Sequence, residues 1–163
     1  MSNSNSELLV LRFRDLSVEP GQTIVQHRRA IAAHDQCWWG WWARRQEINP
    51  KQMLSMLEYP REIALYDTDQ ARIYSAECLE ARGYESEVLS PRPDWTPTYY
   101  NNRRLRAWFR FLDIEDASAD LLISRRCILT ANEAVENGWL IRSLDDLRRS
   151  ETTMWLLSGG DNN

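Results

Sequence analysis

Residues 8–13 are apolar except for Arg12, the pattern of a strand that crosses a core. Pro20-Gly21 marks a turn, and Thr23 follows as a cap for a helix to about residue 33. Ile24, His27 and Ile31 share one face of that helix, with Arg28 and Arg29 on its wetter side. Residues 36–43 read as a second strand. Asn49 and Pro50 open a short helix through residue 57, with Pro50 in the favoured first helical position, and Pro60 stops it. Two strands follow at 62–66 and 71–81, separated by the turn-forming Asp67-Thr68-Asp69-Gln70. Residues 83–102, with Pro91, Pro93 and Pro97, read as a long irregular connection of the kind that forms functional loops or lids. A strand returns at 107–114. Thr130 caps a helix near 132–137 that ends at Gly138, Ser143 starts a last helical turn at 144–147, and residues 154–157 close the sheet.

This alternation predicts an α+β domain on a small, curved, mostly antiparallel sheet or barrel flanked by short helices. One domain is expected over residues 8–157, with disordered polar tails at 1–7 and 158–163. The length of 163 residues suits a single core, and 43% hydrophobic with 27% charged residues excludes a disordered polymer. No apolar run approaches the ~18 residues of a membrane span, and the polar N-terminus carries no signal pattern. A cytoplasmic domain with no membrane partner is the expectation.

Charge and cysteine content narrow the chemistry. The net charge is −4, which argues against coating nucleic acid by bulk charge. Nineteen of the twenty basic residues are Arg; the bias fits a GC-rich genome, and it also suits phosphate recognition and stacking. Cys37, Cys78 and Cys127 form no Cys-x-x-Cys pair and read as reduced, buried thiols. His27 and His34 are the only histidines and sit in no metal-binding spacing, so neither a metal nor a cofactor is expected.

The least ordinary segment is Cys37-Trp38-Trp39-Gly40-Trp41-Trp42. On a strand Trp39 and Trp41 share one face, and Trp38 and Trp42 the other. Each indole buries ~150–250 Å², so both faces need a cover. Gly40 permits a bulge or the close approach of a ring. The strand is a heavily aromatic core strand, one wall of an aromatic binding pocket, or a protein-interaction patch.

A second segment mixes rings, amides and arginines: Tyr99, Tyr100, Asn101, Asn102, Arg103, Arg104, Arg106, Trp108 and Arg110. Residues 91–110 hold five Arg and one Asp, a balance of +4, and residues 111–120 hold four acids, a balance of −4. Rings beside Arg suit a nucleotide or single-stranded nucleic acid; a solvated loop whose arginines pair with those acids is the alternative. Arg12 and Arg14 read as facing water.

Together these features resemble the PUA-like superfamily, the group containing the ASCH, EVE and YTH modules. The resemblance rests on the opening strand, the helix, the Trp-rich strand, the paired phrases Ile63-Ala64-Leu65-Tyr66-Asp67 and Arg72-Ile73-Tyr74-Ser75-Ala76, and the later Ala107-Trp108-Phe109-Arg110-Phe111. It implies a small barrel that binds RNA, a modified base or a nucleotide, with Trp38, Trp39, Trp41, Trp42 and Trp108 as the transferable pocket positions. The chain lacks the Gly-x-Lys-x-x-Glu-x-Arg string frequent in ASCH domains. It is also similar to N-terminal modules of bacterial multidomain proteins, some in antiviral defence contexts, which implies an effector domain or protein partner.

The function expected is a non-catalytic sensor module for a nucleobase-containing ligand. Its contacts are Trp38, Trp39, Trp41, Trp42, Tyr99, Tyr100, Asn101, Arg103, Arg104, Arg106 and Trp108. An interaction or oligomerisation domain with an exposed Trp/Arg patch is the alternative, and an ASCH-like hydrolase a second one. For the latter Asp67, Asp69, Asp113, Glu115 and His27 are candidate acids and bases, without the spacing of a nucleophile–base–orienter set.

Overall fold

A computed structural model describes residues 7–15, 18–43, 47, 50–100, 102–132 and 138–159. It contains seven strands, β1 (Leu8–Phe13), β2 (Cys37–Gly40), β3 (Arg61–Asp67), β4 (Arg72–Val88), β5 (Leu105–Ala117), β6 (Cys127–Thr130) and β7 (Met154–Leu157). The helices are α1 (Gln22–His34), α2 (Pro50–Ser55) and α3 (Leu144–Arg149).

The strands form one sheet in the order β2-β5-β4-β3-β1-β7-β6. Only β1 and β3 pair in parallel, joined through α1, β2 and α2; every other pairing is antiparallel. The predicted α+β class, with a curved and mostly antiparallel sheet, is the one observed. The sheet curls without closing. The long β4–β5 ribbon carries register shifts between Glu77 and Cys78 and again between Cys78 and Glu80, and such bulges bend and twist a strand pair.

All six residues of β1 are buried, because the strand is covered on both faces. Leu9, Leu11 and Phe13 point into the curl, against Ile24 of α1 and Met53 and Leu54 of α2. Leu8 and Val10 point outward into a second core with Leu122, Ile141, Leu147 of α3 and Trp155. Arg12 shares this outer parity, and its guanidinium donates to the carbonyls of Leu147, Arg148, Ser150 and Thr152 at the end of α3. Instead of facing water, it is buried and supplies donors to carbonyls the helix leaves open. Arg14 is exposed and paired with Asp69 at 3.0 Å.

Local differences from the sequence reading have local causes. The N-terminus of α1 is capped from a distance: the Asp15 carboxylate accepts from the Gly21 and Thr23 amides, so Thr23 is inside the helix instead of being its cap. β4 extends through Val88, past the predicted break at Gly83. A Cβ at Gly83 would lie 2.5 Å from Cα and 2.6 Å from N of Lys51, so this glycine admits the α2 backbone and does not end a strand. The irregular part of the predicted 83–102 connection therefore shrinks to residues 89–104, with two short 3₁₀ turns at Pro93–Trp95 and Thr98–Tyr100. Cys127–Thr130 forms a strand where no strand is predicted; the helix predicted near 132–137 falls almost wholly outside the described residues. Of the predicted tails only Glu7, Ser158 and Gly159 are described. No helix among the described residues is long and apolar enough to cross a membrane.

Candidate functional site

β2 is an edge strand, paired on one side with β5 from Cys37↔Phe111 to Gly40↔Trp108, and the curl carries its end toward the end of β1. A cleft of about 510 Å³ opens at this seam. Its walls come from Phe13 and Arg14 after β1, Trp39 to Ala43, Tyr99, Tyr100 and Arg103, with Thr153 just before β7.

Strand alternation divides the four tryptophans as the pleat requires. Trp39 and Trp41 enter the curled core, while Trp38 and Trp42 pack on the other side around Tyr100, Leu105 and Trp108. Two contacts bridge the seam. Trp39 meets Phe13 edge-on at 5.2 Å, and Trp41 Nε1 donates to Thr153 Oγ1 at 2.9 Å. Thr153 Oγ1 donates in turn to Glu47 Oε1 at 2.6 Å, and the other oxygen of this buried carboxylate accepts from the Thr152 hydroxyl and the Thr153 amide. The cleft floor is thus a satisfied polar network with a fixed indole above it.

The opposite wall is a stack. Tyr99 and Tyr100 lie 4.4 Å apart at 25°, Trp42 stacks on Tyr100 at 5.9 Å and 19°, and the Arg103 guanidinium sits 4.8 Å from the centroid of Trp42. Pro97 leads into the 3₁₀ turn at Thr98–Tyr100, and Asn102, at φ 63°, turns the chain back so that the Arg103 amide donates to the Tyr100 carbonyl. That reversal brings Arg103 over Trp42.

Tyr100 is held from behind. Its Oη accepts from the Gly40 amide at 3.0 Å and donates to His27 Nε2 at 3.2 Å. His27 Nδ1 lies 2.7 Å from the Thr23 carbonyl, which fixes the proton on Nδ1 and leaves Nε2 as the acceptor. The His27 ring also stacks on Trp39 at 4.3 Å. Complete burial lowers the His27 pKa to about 4, against the raising effect of the Thr23 carbonyl, so the ring is neutral. Burial raises Tyr99 to about 12 and Tyr100 well above its ordinary value, so both remain phenols. The close approach foreseen at Gly40 is real: a Cβ there would lie 2.4 Å from Leu105 and within 3 Å of both Trp108 and Tyr100.

Of the residues proposed from sequence, Trp39, Trp41, Trp42, Tyr99, Tyr100 and Arg103 line the cleft. Trp38 and Trp108 are buried behind Tyr100 and do not reach it. Arg82 covers the Trp38 ring at 5.1 Å, and Trp108 Nε1 donates to the Val88 carbonyl. Arg104 and Arg106 are not in the lining, Arg106 instead donating to the Glu85 carbonyl, and Asn101 lies outside the described residues. Phe13, Thr23 and Thr153 are cleft residues that sequence reasoning missed. They lie more than 20 positions from the aromatic segments or, as with Thr23, read as a helix cap. No carboxylate lines the cleft. Among the described residues no group of three His, Cys, Asp or Glu is placed to hold a metal ion.

A family model described as PUA-like matches residues 9–162. No curated protein and no solved structure matches the chain.

Proposed function

Because this chain belongs to the PUA-like family, whose modules are of a general RNA- and nucleobase-binding type, we propose that the seam cleft is a non-catalytic receptor for a nucleobase carrying phosphate. The observation that carries this reading is the cleft's make-up: a half-exposed Trp42 flanked by Tyr100 and by Arg103, with no carboxylate in the lining. Stacked rings offer a face to any base, and an unopposed guanidinium offers its donors to phosphate. A cationic ligand finds no counter-charge there, so the cleft favours neutral or anionic rings. RNA, a modified base within it, or a free nucleotide all satisfy this chemistry, and such a module suits a sensor coupled to an effector. The interaction-patch alternative loses support from burial, since Trp38, Trp39, Trp41 and Trp108 are all at most 2% exposed and leave few rings to present to a partner.

The test is a thermal-shift screen of nucleotides, modified nucleosides and short oligonucleotides, followed by titration of Trp42→Ala. A ligand at ~100 times its Kd stabilises by ~2.7 kcal/mol, a shift of several degrees at this size. Trp42→Ala is expected to keep the fold, because the side chain is only half-buried, and to weaken binding by about tenfold or more. Binding indifferent to Trp42, or no shift with any of these ligands, refutes the reading.

A further inference from the structure

A second depression adjoins the first. It encloses about 220 Å³, and its lining includes Leu89, Pro97, Thr98, Asn102 and Trp108, together with Tyr100 and Arg103. The last two residues also line the aromatic cleft. The two depressions therefore meet at one turn of chain, with a ring and a guanidinium on the shared wall.

We propose that the bound ligand is a phosphodiester-linked strand: one base in the aromatic cleft, the next nucleotide in this second depression, and the linking phosphate on Arg103. The inference rests on the nucleobase reading above and adds that the strand, not the single nucleotide, is the ligand.

Three observations support it. Arg103 is the available cation, since Arg12 is occupied by four carbonyls and Arg14 by Asp69, whereas Arg103 is exposed, stacks on Trp42 and has no acidic partner among the described residues. In a nucleic-acid strand the group between successive bases is a phosphate, and Arg103 lies between the two depressions. The second depression also has the chemistry of a sugar and base shelf. Leu89 and Pro97 supply apolar surface, Thr98 and Asn102 are exposed polar groups, and no carboxylate lines it. Finally, Arg104 follows Arg103 in the chain and is exposed, which extends positive charge along the same side. An acidic peptide would meet the arginine but has no ring for the stack of Trp42 and Tyr100.

The experiment compares the four nucleoside 5′-monophosphates with single-stranded hexaribonucleotides of the same bases, by titration calorimetry, on wild type, Trp42→Ala, Thr98→Trp and Leu89→Asp. Thr98 and Leu89 are exposed, so both shelf variants are expected to melt with the wild type. The best hexanucleotide is expected to bind about tenfold tighter than its monophosphate. Each shelf variant should remove most of that surplus and leave monophosphate binding within about twofold. Equal affinities for the two lengths overturn the inference, as does a surplus that survives both variants, or an acidic peptide that competes for the shelf more strongly than the hexanucleotide. If monophosphates bind in a Trp42-dependent way and length adds nothing, only the extension fails. If no probe binds in a Trp42-dependent way, the nucleobase reading fails and the extension with it.

Discussion

His27 shows how one buried side chain sets the geometry of the cleft. Its neutral ring accepts from Tyr100, and Tyr100 in turn anchors the stack with Trp42. The folded pKa of about 4 lies below the unfolded value of 6.5 because burial disfavours the imidazolium. The unfolded chain therefore takes up the proton first as pH falls. The stability contributed by the neutral ring is complete above pH 6.5, is lost progressively between 6.5 and about 4, and changes no further below that. The full loss is roughly 3 kcal/mol. Denaturant melts across this window should show the decline in wild type and a flatter profile in His27→Gln; parallel profiles would remove His27 as the cause.

Among the elements, the docking of α2 on β4 is the most exacting. The Gly83 position touches the Lys51 backbone, and backbone cannot rotate aside as the tip of a side chain can. Met53 and Leu54 of α2 belong to the curled core, so a shift of the helix is felt there. Gly83→Ala is expected to lower stability by about 1–3 kcal/mol, with a fall of several degrees in Tm measured by circular dichroism. An unchanged Tm would mean that α2 tolerates displacement. Because α2 contributes nothing to the lining of the cleft, affinity per folded molecule should be unaffected.

At the scale of the whole molecule, the seam converts an acidic chain into a locally cationic site. The net charge is −4, but the carboxylates nearest the cleft are engaged: Asp69 by Arg14, Asp15 by the start of α1, and Glu47 by the two threonines. Binding should consequently show a weak salt dependence dominated by the one available guanidinium. For an oligonucleotide, Arg103→Gln is expected to reduce the slope of log K against log salt by about 0.7, the value for one phosphate contact on a single strand. A slope that stays unchanged would place the phosphate elsewhere.

Several features were legible from sequence because they depend on local periodicity. The strand at 8–13, the helix with Ile24 and His27 on one face, the division of the tryptophans into 39/41 and 38/42, and the close approach at Gly40 all follow from the spacing of side chains along one element. The α+β class and the PUA-like family follow from the order of those elements. Other features came only from tertiary structure. Nothing near Thr153 or Glu47 in the chain signals that they support Trp41 from more than 100 and from 6 positions away, and nothing near Gly83 signals a helix against it. Arg12 reads as a surface residue until β1 is seen to be covered on both faces. Local spacing determines which face a side chain takes. The curl of the sheet determines what that face meets, because it brings together strands that are not sheet neighbours, and that is why the cleft between β1 and β2 could not be read from either strand alone.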